Sequence, residues 1–348
     1  MTKSRRFFEV YRSALAILIA LLIALGIILS VSDMPALALR HFLLGPLDSL
    51  RHIGNVLELM VPLLFTGLAV SVMFSAAQFN LGAEGALFFG AIGASFLAVN
   101  WNLPPIIHPI VAILWGGLIG SVFCAVPGVL KIKWGSSELV SSLMFNYIAY
   151  FFGIYLINYF LRDVNAGAMV SFPFLQSARL LRIIPKTRVH FGLIIAAFMV
   201  LVTTVFMFRT RWGYRIRVVG QNINFARYAG ISTDQTIILC QVLGGFIAGM
   251  GGSIEVLGLY RRFTWQSLPG YGWTGLIVAI LARNNPAYVP VAAFFLAYLR
   301  IGADIMSRRS DVPNEFVGII QGVIIILIAA ESFLAKSRHR IVVREAMT

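Results

Sequence analysis

Apolar residues in this chain fall into long, nearly continuous blocks with short polar stretches between them. The blocks run at about 13–31, 53–77, 85–99, 106–130, 138–160, 190–208, 235–258, 269–282, 287–302 and 315–335. Most approach the 20 or so apolar residues that a helix needs to cross the hydrocarbon core of a bilayer. Such blocks predict about ten helices, and none shows the alternation expected of a half-buried strand. The 269–282 block is short for a full crossing. Arg283-Asn284-Asn285-Pro286 joins it to its successor, so the two can form a re-entrant hairpin. Ala36-Leu37-Ala38 after the first block resembles a signal-peptide cleavage site, but the block exceeds the usual apolar length of a signal peptide and reads as a retained helix.

Composition agrees with this pattern. Of 348 residues, 59% are hydrophobic and 12% charged, against about 25% charged in a soluble domain. A soluble enzyme, a disordered protein and a secreted disulfide scaffold are all excluded. Cys124 and Cys240 both lie inside apolar blocks and say little about redox compartment. The net charge of +14 invites a nucleic-acid reading, but the Lys and Arg residues are short clusters flanking helices. That is the pattern of membrane topology, and no nucleic-acid partner is expected.

The basic clusters also orient the chain. With the N-terminus inside, the inner segments carry Lys3, Arg5, Arg6, Arg12, Lys131, Lys133, Arg209, Arg211, Arg215, Arg217, Arg227, Arg283, Lys336, Arg338, Arg340 and Arg344. These outnumber the basic residues of the outer segments, so both termini are expected on the cytoplasmic side. The outer loop 161–189, with Arg162, Arg179, Arg182, Lys186 and Arg188, runs against the bias. With no long polar insert or low-complexity linker, residues 1–348 read as one integral membrane domain.

The chemistry-bearing residues are sparse. His41, His52, His108, His190 and His339 lie in loops or at helix ends, and no His/Cys/Asp/Glu group has zinc spacing. No metal site and no catalytic residue is expected. The dipeptide Gly-Lys is absent, so the chain has no P-loop with which to bind ATP. A membrane-embedded enzyme would need a constellation that is not there.

The intramembrane acids say more, because a charge at bilayer depth is costly and usually faces a cavity or a partner. Glu84 sits in the Gly-interrupted stretch Asn80-Leu81-Gly82-Ala83-Glu84-Gly85. A second interrupted stretch spans 244–252 and Pro269-Gly270-Tyr271-Gly272. Paired broken helices in the two halves of a chain point to a transport site. Glu84 is therefore either an acid bounding a substrate path or a helix N-terminal carboxylate just inside the cytoplasmic boundary, stabilised by the helix dipole. Glu138 opens its block and suits the dipole role. Glu255 and Glu331 read as interfacial acids near helix ends. Gly116-x-x-x-Gly120 and Gly245-x-x-x-Gly249 put small residues on one helix face and predict close packing within the subunit.

The inner loop 209–234 is the most legible segment. Asn222 can cap a short helix through about 229, and Gly230 can end it in the left-handed conformation. Such a helix is a docking device for a partner. The alternative is a loop whose arginines only anchor topology.

Four ordered motifs resemble the permease subunits of bacterial ABC importers for nucleosides. Phe79-Asn80-Leu81-Gly82-Ala83-Glu84-Gly85 resembles their F-N-[IL]-G-x-E-G signature. Residues 142–149 resemble an M-x-N-Y-I-A segment through Met144, Asn146 and Tyr147. Residues 217–230 resemble the R-x-x-G-x-N-x-x-[AF]-A-R-x-A-G cytoplasmic loop, and residues 270–286 a G-x-G-[FW]-x-G-I-x-V-A-L-L-G-x-x-x-P stretch. Related ribose-type permeases usually carry a D-L-S-x-G version of the first motif. Ala86 and Ala282 depart from the common Gln and Gly.

The resemblance implies an all-α polytopic membrane protein, a permease of the type II ABC importer kind, with about ten transmembrane helices, some broken or re-entrant. It implies a bacterial inner-membrane location. It implies partners: an ABC ATPase that binds ATP and Mg, a second related permease, an extracytoplasmic binding protein and membrane lipid. This chain itself would hold no cofactor. By motif position Phe79, Asn80, Glu84, Asn146 and Trp273 would lie near the substrate path. Gly220, Asn222, Ala226, Arg227 and Gly230 would belong to the ATPase-coupling helix. Alternatives are a sugar or a riboflavin-like solute, and a secondary transporter driven by protons through Glu84 or Glu255.

Overall fold

A computed structural model describes residues 32–312 and the single positions 26, 29, 319 and 322. The first and last predicted helices, Glu331 and both termini lie outside the described residues. The chain divides into two compact units, residues 1–56 with 295–348 and residues 57–294.

The eight apolar blocks within the described residues are all helical. They give α2 (Leu50–Ser75), α3 (Ala83–Asn100), α4 (Ile107–Trp134), α5 (Glu138–Leu156, extended by a π-helical turn Ile157–Leu161), α6 (Gly192–Arg209), α9 (Thr233–Leu259), α10 (Tyr271–Leu281) and α11 (Val289–Arg309). Seven of these are long and apolar enough to cross a membrane; α10 is not. Three further helices were not predicted as apolar blocks: α1 (Pro35–Leu43), α7 (Arg211–Gln221) and α8 (Ile223–Tyr228). No strand longer than an isolated bridge occurs among the described residues.

In the first unit, α1 lies against α11. A Cβ on Gly302 would strike the Phe42 carbonyl, and one on Gly45 would come 2.8 Å from Ile305. The Tyr298 hydroxyl donates to the Leu43 carbonyl, and Arg309 faces Asp48 at 3.7 Å.

The centre of the second unit is a glycine seam. The two predicted small-residue motifs meet each other across α4 and α9: a Cβ on Gly120 would strike the Gly245 carbonyl, and one on Gly249 the Gly116 carbonyl. The third helix of the seam is α3, with Gly90 against Gly249. Backbones this close gain dispersion contacts that the lipid cannot match, which drives helix association where hydrophobicity alone does not. The Ser253 hydroxyl, donating to the Gly249 and Gly90 carbonyls, lies on the same seam.

The 161–189 loop is tied down by hydrogen bonds to its neighbours. Ser171 and Phe174 donate main-chain hydrogen bonds to Phe263 and Arg261, and Leu175 to Ala98. Asp163 pairs with Arg262 at 3.2 Å, and the His108 ring meets the Ser177 hydroxyl at 2.9 Å.

Candidate functional site

Two breaks in the helical structure meet inside the second unit. Residues 76–82 between α2 and α3 are non-helical, and so are residues 260–270 before α10. Backbone freed from a helix at membrane depth must find partners inside the protein, and buried side chains supply them. The Asn80 amide donates to Gln241 Oε1 at 2.6 Å, and its Oδ1 accepts from the Gly82 N–H at 2.6 Å. The Ser142 hydroxyl accepts from the Leu81 N–H. Asn146 accepts from the Gly85 N–H at 2.9 Å and donates to the Leu81 carbonyl at 3.0 Å. Both Asn80 and Asn146 are buried.

Glu84 joins the two breaks. One carboxylate oxygen accepts the Gly270 N–H at 2.6 Å, the other accepts the Gly272 N–H, and the Trp273 N–H also donates to it. Gly270 has φ +80 and so turns the chain into α10 in the left-handed region. A Cβ on Gly272 would fall 2.5–2.7 Å from the Glu84 N, Cα and Cβ atoms. The Gly-Tyr-Gly stretch therefore lets the α10 N-terminus close directly onto the α3 backbone. A carboxylate at a helix N-terminus is favoured both by the dipole and by its unpaired N–H groups. Here the helix is α10, nearly 190 residues away in sequence.

The depth of this node follows from helix geometry. Gly85 meets Asn146, eight residues into α5, about 12 Å from its start at a 1.5 Å rise. It also packs on Phe123, eleven residues before the end of α4, about 16 Å. Glu84 thus lies about 12 Å or more from the nearer ends of two helices long and apolar enough to cross a membrane. From there α10 runs past Thr66 and Val278 packs on Gly67, and the following Asn284 carbonyl accepts from Ser75 at the end of α2. It is a short helix whose positive end is buried against α3, and transporters use broken helices of this kind to build a solute site.

Of the five path residues expected from the motifs, three (Asn80, Glu84, Asn146) are buried pins of the breaks, and two (Phe79, Trp273) expose about half of their side chains. Phe79 is tied by its main chain to Glu138, which also accepts from Lys131 Nζ at 2.7 Å. Glu138 thus serves a charge pair besides opening its helix. Glu255 is buried and faces the Tyr271 hydroxyl at 3.3 Å. It stands four residues from the end of α9, turned into the protein, and nothing in its local sequence signals that partner.

The 209–234 loop holds two helices. The Asn222 side chain accepts from the Phe225 N–H at 3.0 Å and opens α8; Gly230 follows it at φ +75. Preceding it, α7 was masked in the sequence by its charge. Arg215 lies over Trp212 at 4.8 Å and Arg217 over Phe208 at 5.1 Å, so these cations cover aromatic rings. A Cβ on Gly220 would strike the Ser75 carbonyl, so this glycine seats α7 on the end of α2. Ala226 is buried with Val219 and Ile237. The outward residues of α8 are Ile223, Asn224, Phe225, Arg227 and Tyr228, the last 93% exposed. Arg227 also meets the Thr233 hydroxyl at 3.3 Å.

Membrane-spanning helices, two broken elements meeting inside the protein and a capped helix pair at one end define a membrane permease. The chain belongs to the branched-chain amino acid transport system / permease component family, whose model matches residues 52–329. It is 33% identical to the glucose ABC transporter permease protein TsgB13 of Haloferax volcanii, over 84% of this chain and 80% of that one. It is 30% identical to the guanosine ABC transporter permease protein NupP of Bacillus subtilis, over 82% and 83%. It is 29% identical to the nucleoside ABC transporter permease protein NupB of Lactococcus lactis, over 91% and 90%.

Proposed function

We propose that this chain is the membrane permease of an ATP-driven importer for nucleosides. The observation that carries the reading is the similarity, over more than four fifths of the chain, to permeases named for guanosine and for nucleosides. The glucose permease at 33% identity supports a second reading, a hexose importer. Partner chains complete the machine: an ATPase that holds ATP and Mg, a second permease and an extracytoplasmic binding protein. The termini lie in the cytoplasm of a bacterial cell, and α8 docks on the ATPase through Phe225 and Tyr228, while Gly220, Asn222, Ala226 and Gly230 shape and seat it.

In this reading Asn80, Glu84 and Asn146 act on transport by holding the two breaks in place, and Phe79 and Trp273 border the path. Aromatic rings suit a nucleobase through stacking. The test is uptake of labelled guanosine, uridine, glucose and riboflavin by cells expressing the complete operon, with each unlabelled solute as competitor. Nucleoside uptake that glucose does not compete with supports the reading; glucose uptake alone replaces it with the hexose importer.

A further inference from the structure

At the end of α9 away from α7 and α8, two carboxylates come together with oxygens to spare. The helices α2 and α9 pack antiparallel: Met73 meets Gly244 and, two turns on, Phe65 meets Gly251. Two further turns of the same register bring Glu58 of α2 level with Gly258, three residues from Glu255 of α9. The charges of the two acids act on each other. Glu255 is 1% exposed; its Oε1 faces the Tyr271 hydroxyl at 3.3 Å, and its Oε2 has no hydrogen-bond partner among the described residues. Glu58 Oε2 has none either. Arg182 and Arg188 act on Glu58 across space. They belong to a hairpin closed by the Ile183 N–H on the Val189 carbonyl, and the Leu180 N–H on the Leu257 carbonyl lays it on α9. The rim is aromatic. Tyr260, Trp265 and Tyr271 are each half-buried, and the Trp265 ring stands 6.1 Å from Tyr260 and 6.5 Å from Tyr271.

Glu84 gives both oxygens to main-chain N–H groups; Glu58 and Glu255 each keep one free. Buried acceptors without donors are costly, and at membrane depth they mark a functional site. What the pair lacks is donors. With two arginines beside it, it is a poor trap for a cation, and no group of three metal-ligating side chains occurs among the described residues. A neutral solute with adjacent hydroxyl groups supplies donors without charge, and hydrogen bonds to an ionised acceptor are the strong kind.

We infer that Glu58 and Glu255 form the pole of the solute site that binds the ribose hydroxyls of a nucleoside. The inference rests on the nucleoside reading above. Glu255 lies 22 residues from Thr233, about 33 Å at a 1.5 Å rise. With α8 docked on the ATPase, the acids therefore stand toward the side from which solute enters. Tyr271 ties them to the node of the two breaks, since the Gly270 and Gly272 N–H groups on either side of it hold Glu84.

The test uses the complete transporter with its binding protein in right-side-out vesicles. It compares guanosine with dideoxyguanosine, which lacks both ring hydroxyls of the ribose. Selection by the binding protein is common to all permease variants and cancels when their ratios of the two kcat/KM values are compared. A site built to hydrogen-bond a hydroxyl rejects the analogue without it. Glu58→Gln and Glu255→Gln are each expected to cut the preference for guanosine about tenfold, the difference between charged and neutral acceptors, with co-purification of the ATPase retained. Equal losses for both solutes would make the acids structural groups or proton carriers. An unchanged ratio with unchanged uptake would take them off the path. Either result overturns the inference. If Glu255→Gln does not assemble, Glu58→Gln, at the half-buried rim, decides alone. Wild-type vesicles that take up no guanosine would remove the nucleoside reading and this inference with it; equal losses beside normal wild-type uptake remove this inference only.

Discussion

Replacing Glu84 with Gln tests the role of the node that joins the two breaks. The carboxylate accepts N–H groups from Gly270, Gly272 and Trp273 while buried. Gln keeps only one acceptor oxygen. In either orientation its amide NH2 faces at least one of the three N–H groups, donor against donor. Hydrogen bonds to a charged group contribute about 1.5–3 kcal/mol each, neutral ones about 0.5–1.5. The charge at the α10 N-terminus adds up to about 2 kcal/mol. Removing a buried charge relieves desolvation and offsets part of the loss. The net expectation is a destabilisation of roughly 2–4 kcal/mol, larger for Glu84→Ala, with transport falling in parallel because α10 loses its seat. The assay is thermal aggregation of the detergent-solubilised permease, followed by size-exclusion chromatography, beside uptake in vesicles. A Glu84→Gln protein that melts like wild type yet does not transport would refute the seating role and make Glu84 a solute or proton ligand.

Tyr228→Asp is expected to abolish co-purification of the ATPase with tagged permease while leaving melting unchanged, because the ring is outward; retention of the ATPase would remove α8 as the docking element. Ala226→Asp should instead lower the yield of folded permease, since it buries an unpaired carboxylate against Val219 and Ile237, a loss of about 3 kcal/mol or more; a folded variant lacking only the ATPase would contradict the inward placement. Gly249→Val should block assembly of the α4–α9 seam, where a Cβ already meets the Gly116 carbonyl, and near-normal yield would show the seam is not tight. His190 is held neutral by burial and by the Arg182 charge, its pKa pushed down to about 4. The unfolded chain takes up that proton near pH 6.5 and the folded chain does not. Stability should therefore be flat above about pH 6.5 and fall between 6.5 and 4, by at most about 3 kcal/mol; a melting profile equally steep in His190→Gln would assign the loss elsewhere.

The spans were legible because each is a long apolar block, and eight of the ten blocks are helices in the described residues. The breaks were legible from Gly82, Gly85, Gly270 and Gly272, and the opening of α8 from Asn222. Local pattern could not give α7, whose arginines look like loop charge until Trp212 and Phe208 are seen beneath them. It also could not give the partner of Glu84, since Gly270 and Gly272 are brought to it only by tertiary packing. The inward turn of Ala226 was equally hidden: a six-residue helix carries too little periodicity to say which side meets Val219 and Ile237. Glu255 read as interfacial because it stands four residues from a helix end, and only the fold brings the Tyr271 hydroxyl over it.

The central claim is that this permease passes nucleosides inward at the cost of ATP hydrolysed by a partner. Right-side-out vesicles bearing the complete transporter, loaded internally with ATP and Mg and given its binding protein and labelled guanosine outside, measure it directly. The account predicts accumulation that requires internal ATP and survives collapse of the proton gradient. Accumulation driven by the proton gradient in ATP-free vesicles would contradict it.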